Sequence, residues 1–275
     1  MSGFTMNNAV VPKEYIDDWS TVDTNGFIDH ELINILWSDH APPLTIACVS
    51  TLSPLDMMNL SDGSHDATGH RVWMGVQFFV EALRSGSMQL LIAFQSNSIL
   101  ELGCGTGLGS IVLLLHEHMG CRKVLLTDND TAVLDLCLKN CQHNLDPNDT
   151  RWSIAKLDWG KDSNILGGKV DTILAADVLY DIVALDAILM SVCQYLSPNG
   201  HFVLSHVPRA SLPGHGKVAT AEQLEDYIVG HAMSLGLALK QLIRPSDLPC
   251  IKNKVIQEMQ EAGAAILLFQ LIQSC

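Results

Sequence analysis

Apolar positions fall into a regular rhythm from about residue 70 onward. Val72, Val76, Phe79, Val80 and Leu83 recur at helical spacing, so Val72 to Arg84 predicts an amphipathic helix. Ser98-Ile99-Leu100-Glu101-Leu102 predicts a short strand, followed by a glycine-rich turn and a helix from about Leu108 to His118. Lys123 to Thr127, Trp152 to Ala155, Val170 to Ala176 and His201 to His206 read as further strands. Helices over Thr131 to Asn144 and Val183 to Leu196 lie among them, the second ended by Pro198-Asn199-Gly200. A helix over Glu222 to Leu235 and strands over Leu237 to Ile243 and Ala264 to Ile272 close the pattern. Strands alternating with helices predict an α/β fold, a mostly parallel sheet with helices on both faces. The two last strands, read with only a loop between them, are expected to pair antiparallel. Ahead of this region, Asp29 to Trp37 fits a short helix, Leu44 to Ser50 a strand, and Ser53 to Asp66 a loop. Residues 1–65 are therefore set apart as an N-terminal extension, and 66–275 as one domain.

Composition supports a buried sheet: 48% of residues are hydrophobic and 17% charged, against about 25% charged in an average domain. The net charge, 16 − 30 = −14, gives no counterion-release gain on a phosphate backbone, so free nucleic acid is not expected as a partner. An acidic surface suits a basic protein segment, or serves solubility alone. The eight cysteines include no C-x-x-C pair; Cys137 and Cys141 share a helix face and are expected to be reduced and buried. Met1 to Tyr15 lacks a basic stretch followed by an apolar one, and no apolar run approaches the ~20 residues that span a bilayer. The expectation is a soluble cytoplasmic protein, with the nucleus left open and no membrane partner.

Candidate chemistry begins in the turn after the first parallel strand, Glu101-Leu102-Gly103-Cys104-Gly105-Thr106-Gly107-Leu108-Gly109. The dinucleotide fingerprint G-x-G-x-x-G fits neither register, because its third glycine would fall on Leu108 or Ser110. A P-loop fails because no Gly-Lys-Ser/Thr follows. What remains is an acid followed by three alternating glycines. Glu101 would repel a pyrophosphate but suits a cofactor carrying an ammonium group. The second strand ends at Asp128, 25 positions after Gly103, where an acid can accept from ribose hydroxyls; Asp130 or Thr131 can cap the next helix. His116-Glu117-His118 lacks the H-E-x-x-H spacing of a zinc pair, and no metal is expected. Pro208 to Lys217 reads as a mobile loop, or as one on the substrate side.

The run Glu-Leu-Gly-Cys-Gly-Thr-Gly resembles motif I of class I, seven-stranded S-adenosylmethionine methyltransferases. The resemblance implies a Rossmann-like fold, a seven-stranded mostly parallel sheet with a C-terminal antiparallel strand, and S-adenosyl-L-methionine as cofactor. It implies that Gly103, Gly105 and Gly107 line the cofactor's amino-acid end, with Glu101 nearby. Three further segments resemble the family-16 subgroup, many of whose members modify protein lysines. Thr68-Gly69-His70-Arg71-Val72-Trp73 resembles the start of a helix that closes over the cofactor, which puts Trp73 near its methionine end. Leu157-Asp158-Trp159-Gly160 resembles the adenine segment, with Asp158 accepting from the amino group and Trp159 lining the ring. Ala176-Asp177-Val178-Leu179-Tyr180-Asp181 resembles the Asp-x-x-Tyr segment opposite the sulfonium. It is not Asn-Pro-Pro-Tyr, the signature of enzymes that methylate base or glutamine amide nitrogens. A helix N-cap is the plain structural alternative for Asp177 or Asp181.

The resemblance covers roughly residues 68–207. It implies a methyltransferase acting on a lysine of a protein partner. Asp177 would orient the incoming amine, and Tyr180 would line its pocket. Histidine, an N-terminal amine or a small molecule as acceptor, and a non-catalytic binding module, stay open.

Overall fold

A computed structural model describes residues 30–49, 67–116, 123–161, 165–213, 219–249 and 254–272. Nine strands are described in chain order: β1 Glu31–Ile35, β2 Leu44–Cys48, β3 Ser98–Leu102, β4 Lys123–Asp128, β5 Trp152–Lys156, β6 Val170–Ala176, β7 Leu196–His206, β8 Leu237–Ile243 and β9 Ala265–Leu271. The α-helices are α1 Met74–Arg84, α2 Met88–Phe94, α3 Leu108–Leu115, α4 Thr131–Asn144, α5 Ala184–Tyr195, α6 Ala221–Ser234 and α7 Lys254–Glu261.

Seven strands form one sheet in the order β5-β4-β3-β6-β7-β9-β8. The pairs β3–β4, β4–β5, β3–β6 and β6–β7 are parallel; β9 runs antiparallel to both β7 and β8. This is the seven-stranded, mostly parallel α/β sheet with a C-terminal antiparallel strand that the sequence pattern predicts. Both faces are covered. Apolar side chains of α1, α3, α4 and α7 fill one face, and those of α5 and α6 the other. The strand order reverses between β3 and β6, so their carboxyl ends open a crevice where ligands bind in such sheets.

Four elements differ from the sequence reading, the first being α2, Met88–Phe94, a short helix that the sequence reading left out. The stretch around Glu31–Ile35 is a strand, not a helix, and pairs antiparallel with β2. Ile33 and Ile35 pack on the core while Leu32 and Leu36 stay about half exposed, so a period of two was hidden by apolar residues on the outer face. A helix, α7, lies between β8 and β9, with Ile256 and Met259 buried among polar neighbours. The two strands pair antiparallel all the same. Finally, Pro198-Asn199-Gly200 interrupts the start of β7 rather than preceding it. Val170 pairs with Leu196 but Thr172 with His201, and Asn199 takes up the excess at φ +63°.

The β1–β2 hairpin is fastened to the sheet domain by two asparagines one turn apart on α4. Asn140 accepts from Ala47 N (2.8 Å) and donates to Ala47 O (3.1 Å) and to Thr106 O in the glycine loop (2.9 Å). Asn144 accepts from Thr45 N and donates to Thr45 O. The pair stands in for a missing strand partner along β2 and ties the hairpin to the glycine loop. Among the described residues no helix is long and apolar enough to cross a membrane.

Candidate functional site

A cleft of about 390 Å³ opens at the carboxyl ends of β3, β4 and β6. It is within the ~300–1,000 Å³ range of small-molecule sites. Of the residues expected from sequence, Trp73, Glu101, Gly103, Gly105, Asp128, Asp158, Trp159, Ala176, Asp177 and Tyr180 all line it. Gly107 is not among the lining residues. It is the N-cap of α3 in left-handed conformation, and a Cβ there would lie 2.7 Å from Cys137 Sγ. Its place is helix packing behind the loop.

The glycine loop has the shape of a cradle. At Gly103 a Cβ would meet Trp159 and Val178, each at 2.8 Å, and the backbone is left-handed at φ +66°, so only glycine fits. Gly105 donates its N–H to Asp128 Oδ2 (3.2 Å), which sets the loop against the end of β4. The other oxygen of Asp128 accepts from Asp130 N, while Asp130 itself caps α4 through Ala132 N (2.8 Å). Of the roles weighed for this pair, the capping one falls on Asp130. Burial pushes the Asp128 carboxyl above its ordinary value against three backbone donors.

Glu101 is buried at the end of β3 and accepts from Ser110 N (3.2 Å) and Ser110 Oγ (2.5 Å). Burial pushes its carboxyl up to about 7, with the Ser110 hydrogen bonds opposing and Asp128 adding repulsion. A cation arriving beside it would restore the charged form. At the other wall Asp158 pairs with Lys161 (3.0 Å), and Gly160 N donates to Ser191 on α5, which fixes the Leu157–Gly160 segment against that helix.

A further wall of the cleft is organised by Asp177, buried at the end of β6 with left-handed backbone (φ +60°). Its Oδ2 accepts from Gly75 N at 2.6 Å, across 102 residues of chain. It therefore caps α1, whose adjacent N-cap residue Trp73 offers no side-chain cap. Ser205 Oγ donates to Gly75 O (2.6 Å), and Asp177 N donates to Ser205 O (2.7 Å), so one glycine is held at both ends. Oδ1 pairs with the Arg209 guanidinium, which also donates to Asp177 O (3.1 Å). Burial raises the Asp177 carboxyl, and Arg209 and the Gly75 and Val207 backbone oppose this. Arg209 stacks on Trp73 at 4.3 Å, and Trp73 Nε1 donates to Thr68 O (2.7 Å). Asp181 caps the following turn through Val183 N (3.0 Å), so the capping alternative holds for Asp181, while Asp177 caps a different helix. Tyr180 is 45% exposed at the mouth.

Gly75 and Arg209 were not singled out from sequence. A glycine in the first turn of a strong helix, beside Trp73, was the signal available for the first. Arg209 sits in the Pro208–Lys217 loop that was read as mobile; its residues 214–217 lie outside the described residues, as do Glu117 and His118. Cys104, Cys137 and Cys141 are buried free thiols, with Cys104 and Cys137 sulfurs 3.7 Å apart. Among the described residues no group of three or more His, Cys, Asp or Glu could hold a metal ion.

The sequence model of a family described as lysine methyltransferase matches residues 54–213, which is 160 of 275. Protein-lysine N-methyltransferase EFM3 of Saccharomyces cerevisiae is 28% identical over 140 residues, 47% of this chain and 40% of the yeast protein. EEF1A lysine methyltransferase 3 of Mus musculus is 26% identical over 174 residues, 60% of this chain and 71% of the mouse protein. The match thus spans less than half of the yeast relative. The crystal structure of the methyltransferase domain of bacterial CtHen1 superposes with TM-score 0.51 at 16% identity, covering 69% of this chain and 98% of that one. At that identity the likeness is one of fold.

Gly75→Ala is expected to destabilise the protein by about 1–3 kcal/mol, because a Cβ would lie 2.8 Å from Asp177 Cγ. Combined with Asp177→Gly the two losses should fall short of additivity, since the clash is gone. Denaturant titration of the four proteins checks this. Strict additivity would mean that Gly75 and Asp177 do not touch.

Proposed function

The chain belongs to the lysine methyltransferase family, and from that premise we propose that it transfers a methyl group from S-adenosyl-L-methionine to a lysine side chain of a protein partner. The observation that carries the reading is the convergence in one cleft of a buried acid on a glycine cradle with a second anchored acid and an exposed tyrosine.

The residues present fit the cofactor. Glu101, buried and short of a cation, would take the ammonium of the amino-acid end. The backbone of Gly103 and Gly105 comes close because no side chain intervenes, and Gly107 sets the helix behind them. Asp128 would accept from the ribose hydroxyls. Asp158 and Trp159 would bound the adenine, and Trp73 and Ala176 the methionine end. When bound, the cofactor supplies an electrophilic methyl on a sulfonium that is already a good leaving group.

The chain's own task is to hold the acceptor in line, worth up to ~7–11 kcal/mol where orientation is tight. A lysine amine, with an ordinary pKa of about 10.4, is mostly protonated at neutral pH and must shed a proton to react. The Asp177 carboxylate has about four lone-pair sites, and the Gly75 and Val207 backbone and Arg209 take three, so one is left to accept from the amine and orient it. Arg209 is its positioning partner. Tyr180 would line the acceptor channel, and the proton would leave to water. The net charge of −14 favours a basic segment on the partner. An N-terminal amine offers the same chemistry, and a Cryptococcus neoformans relative, 30% identical over 138 residues, is named protein N-terminal and lysine N-methyltransferase.

With radiolabelled cofactor and a cell lysate, the wild type is expected to label a discrete protein band whose hydrolysate contains methyl-lysine. Asp177→Asn should cut labelling by about 10²-fold or more while S-adenosylhomocysteine still binds. Label on another residue type would change the acceptor, and full activity in the variant would remove the role given to Asp177.

Affinity for S-adenosylhomocysteine should fall as pH falls. The free-site Glu101 titrates at about 7, and a bound ammonium holds it ionised, so binding below that pH must first release a proton. From pH 7.5 to 6 the loss should be roughly eightfold by this linkage. Calorimetry should find Glu101→Gln weaker and flat over the same window; an unchanged slope would assign the proton elsewhere.

A further inference from the structure

The cofactor proposed above is a zwitterion at its amino-acid end, and the acids of the cleft account for only half of it. Glu101 can meet the ammonium, but nothing so far meets the carboxylate. Among the described residues two cations line the cleft, Arg71 and Lys161. Lys161 is already paired with Asp158 at 3.0 Å, on the Leu157–Lys161 wall. Arg209 lies near but does not line the cleft, and its guanidinium is engaged by Asp177. Arg71 has no carboxylate partner among the described residues; its guanidinium rests 4.8 Å from the centre of the Trp73 ring.

The segment that carries Arg71 lies over the glycine cradle. Gly69 O sits 3.1 Å from where a Cβ at Gly105 would be, and Arg71 N donates to Thr68 O (3.3 Å), closing a tight turn there. Trp73, two residues on, is held by the same Thr68 carbonyl at 2.7 Å. The turn is thus fastened on the backbone side, while the Arg71 side chain, half-buried on an aromatic face, meets no acceptor for its five donors among the described residues.

We infer that Arg71 is the carboxylate-binding residue of the cleft, pairing with the α-carboxylate of the cofactor's amino-acid end while Glu101 takes its ammonium. The inference rests on the cofactor reading above. It follows from charge matching: the acid-lined cleft holds one guanidinium without a carboxylate partner among the described residues, beside the loop where the ligand's single anionic group would lie. The plain alternative is that Arg71 serves only to cover Trp73, a contact worth little at an exposed site.

Two nucleosides separate these possibilities by calorimetry on the full chain: S-adenosylhomocysteine, which carries the amino-acid group, and 5′-methylthioadenosine, which lacks it. Arg71→Met keeps the apolar stem over Trp73 and removes the charge. It is expected to weaken S-adenosylhomocysteine by roughly 10–100-fold, the range of a hydrogen-bonded charge, and to leave 5′-methylthioadenosine within twofold. Arg71→Lys should recover part of the loss. Unchanged S-adenosylhomocysteine affinity in Arg71→Met, or equal losses for both nucleosides, would overturn the assignment while sparing the cofactor reading. If the wild type bound neither nucleoside, the cofactor reading itself would fall, and this inference with it.

Discussion

The site depends on a single buried carboxylate. Asp177 stands at the end of β6, the strand beside the reversal in the sheet, and takes hold of α1 by the N–H of Gly75. A helix start has free N–H groups and partial positive charge, so a carboxylate there is favoured by up to ~2 kcal/mol in partly buried geometry. That gain, with the Arg209 pair, offsets the desolvation that pushes Asp177 toward its neutral form. The cost is geometric. Asp177 must adopt a left-handed backbone, and position 75 can carry no Cβ. Because α1 is placed from this point, so are Trp73, which precedes it, and the Thr68–Arg71 turn over the glycine loop.

Charge is distributed over the cleft in a way that suits one kind of ligand. Glu101, Asp128, Asp158 and Asp177 bring carboxylates to its walls, and among the described residues only Lys161 and Arg71 bring cations. Such a surface disfavours phosphates and suits the proposed ligand, which is cationic at its sulfur and at its amine. Burial raises Glu101, Asp128 and Asp177 together, because each is desolvated; of the three, only Asp177 is ion-paired among the described residues, with Arg209. Conserving this arrangement through folding requires rigid supports, which the Asn140 bridge to Thr106 and the Gly105–Asp128 bond supply on the opposite side of the loop.

What could be read in the sequence was what is local. The parallel sheet and its helices follow from periodicity, and the glycine loop, Asp128, the Asp158–Trp159 step and the Asp177–Tyr180 step lie at strand ends that the pattern itself locates. Elements that depend on distant partners were less legible. Glu31–Ile35 is a strand because β2 pairs with it, while its apolar outer face mimics a helix. Helix α7 buries only Ile256 and Met259 in a polar stretch, too few for a clear period. Gly107 shares its neighbours' spacing but faces Cys137, and spacing does not record which way a residue points. The Gly75–Asp177–Arg209 contacts join three segments separated by 102 and 32 positions, so no window along the chain contains them.

The central claim, that Asp177 fastens α1 to the sheet, is tested most directly by amide hydrogen exchange on the full chain with and without Asp177→Gly, a change the left-handed backbone tolerates. The account predicts that amides of the first turn of α1, from Gly75 onward, exchange at least about tenfold faster in the variant, the equivalent of ~1.4 kcal/mol of lost local protection, while Val124 to Thr127 in β4 keep theirs. Equal protection of Gly75 in both proteins, or a uniform loss across the sheet, would contradict it.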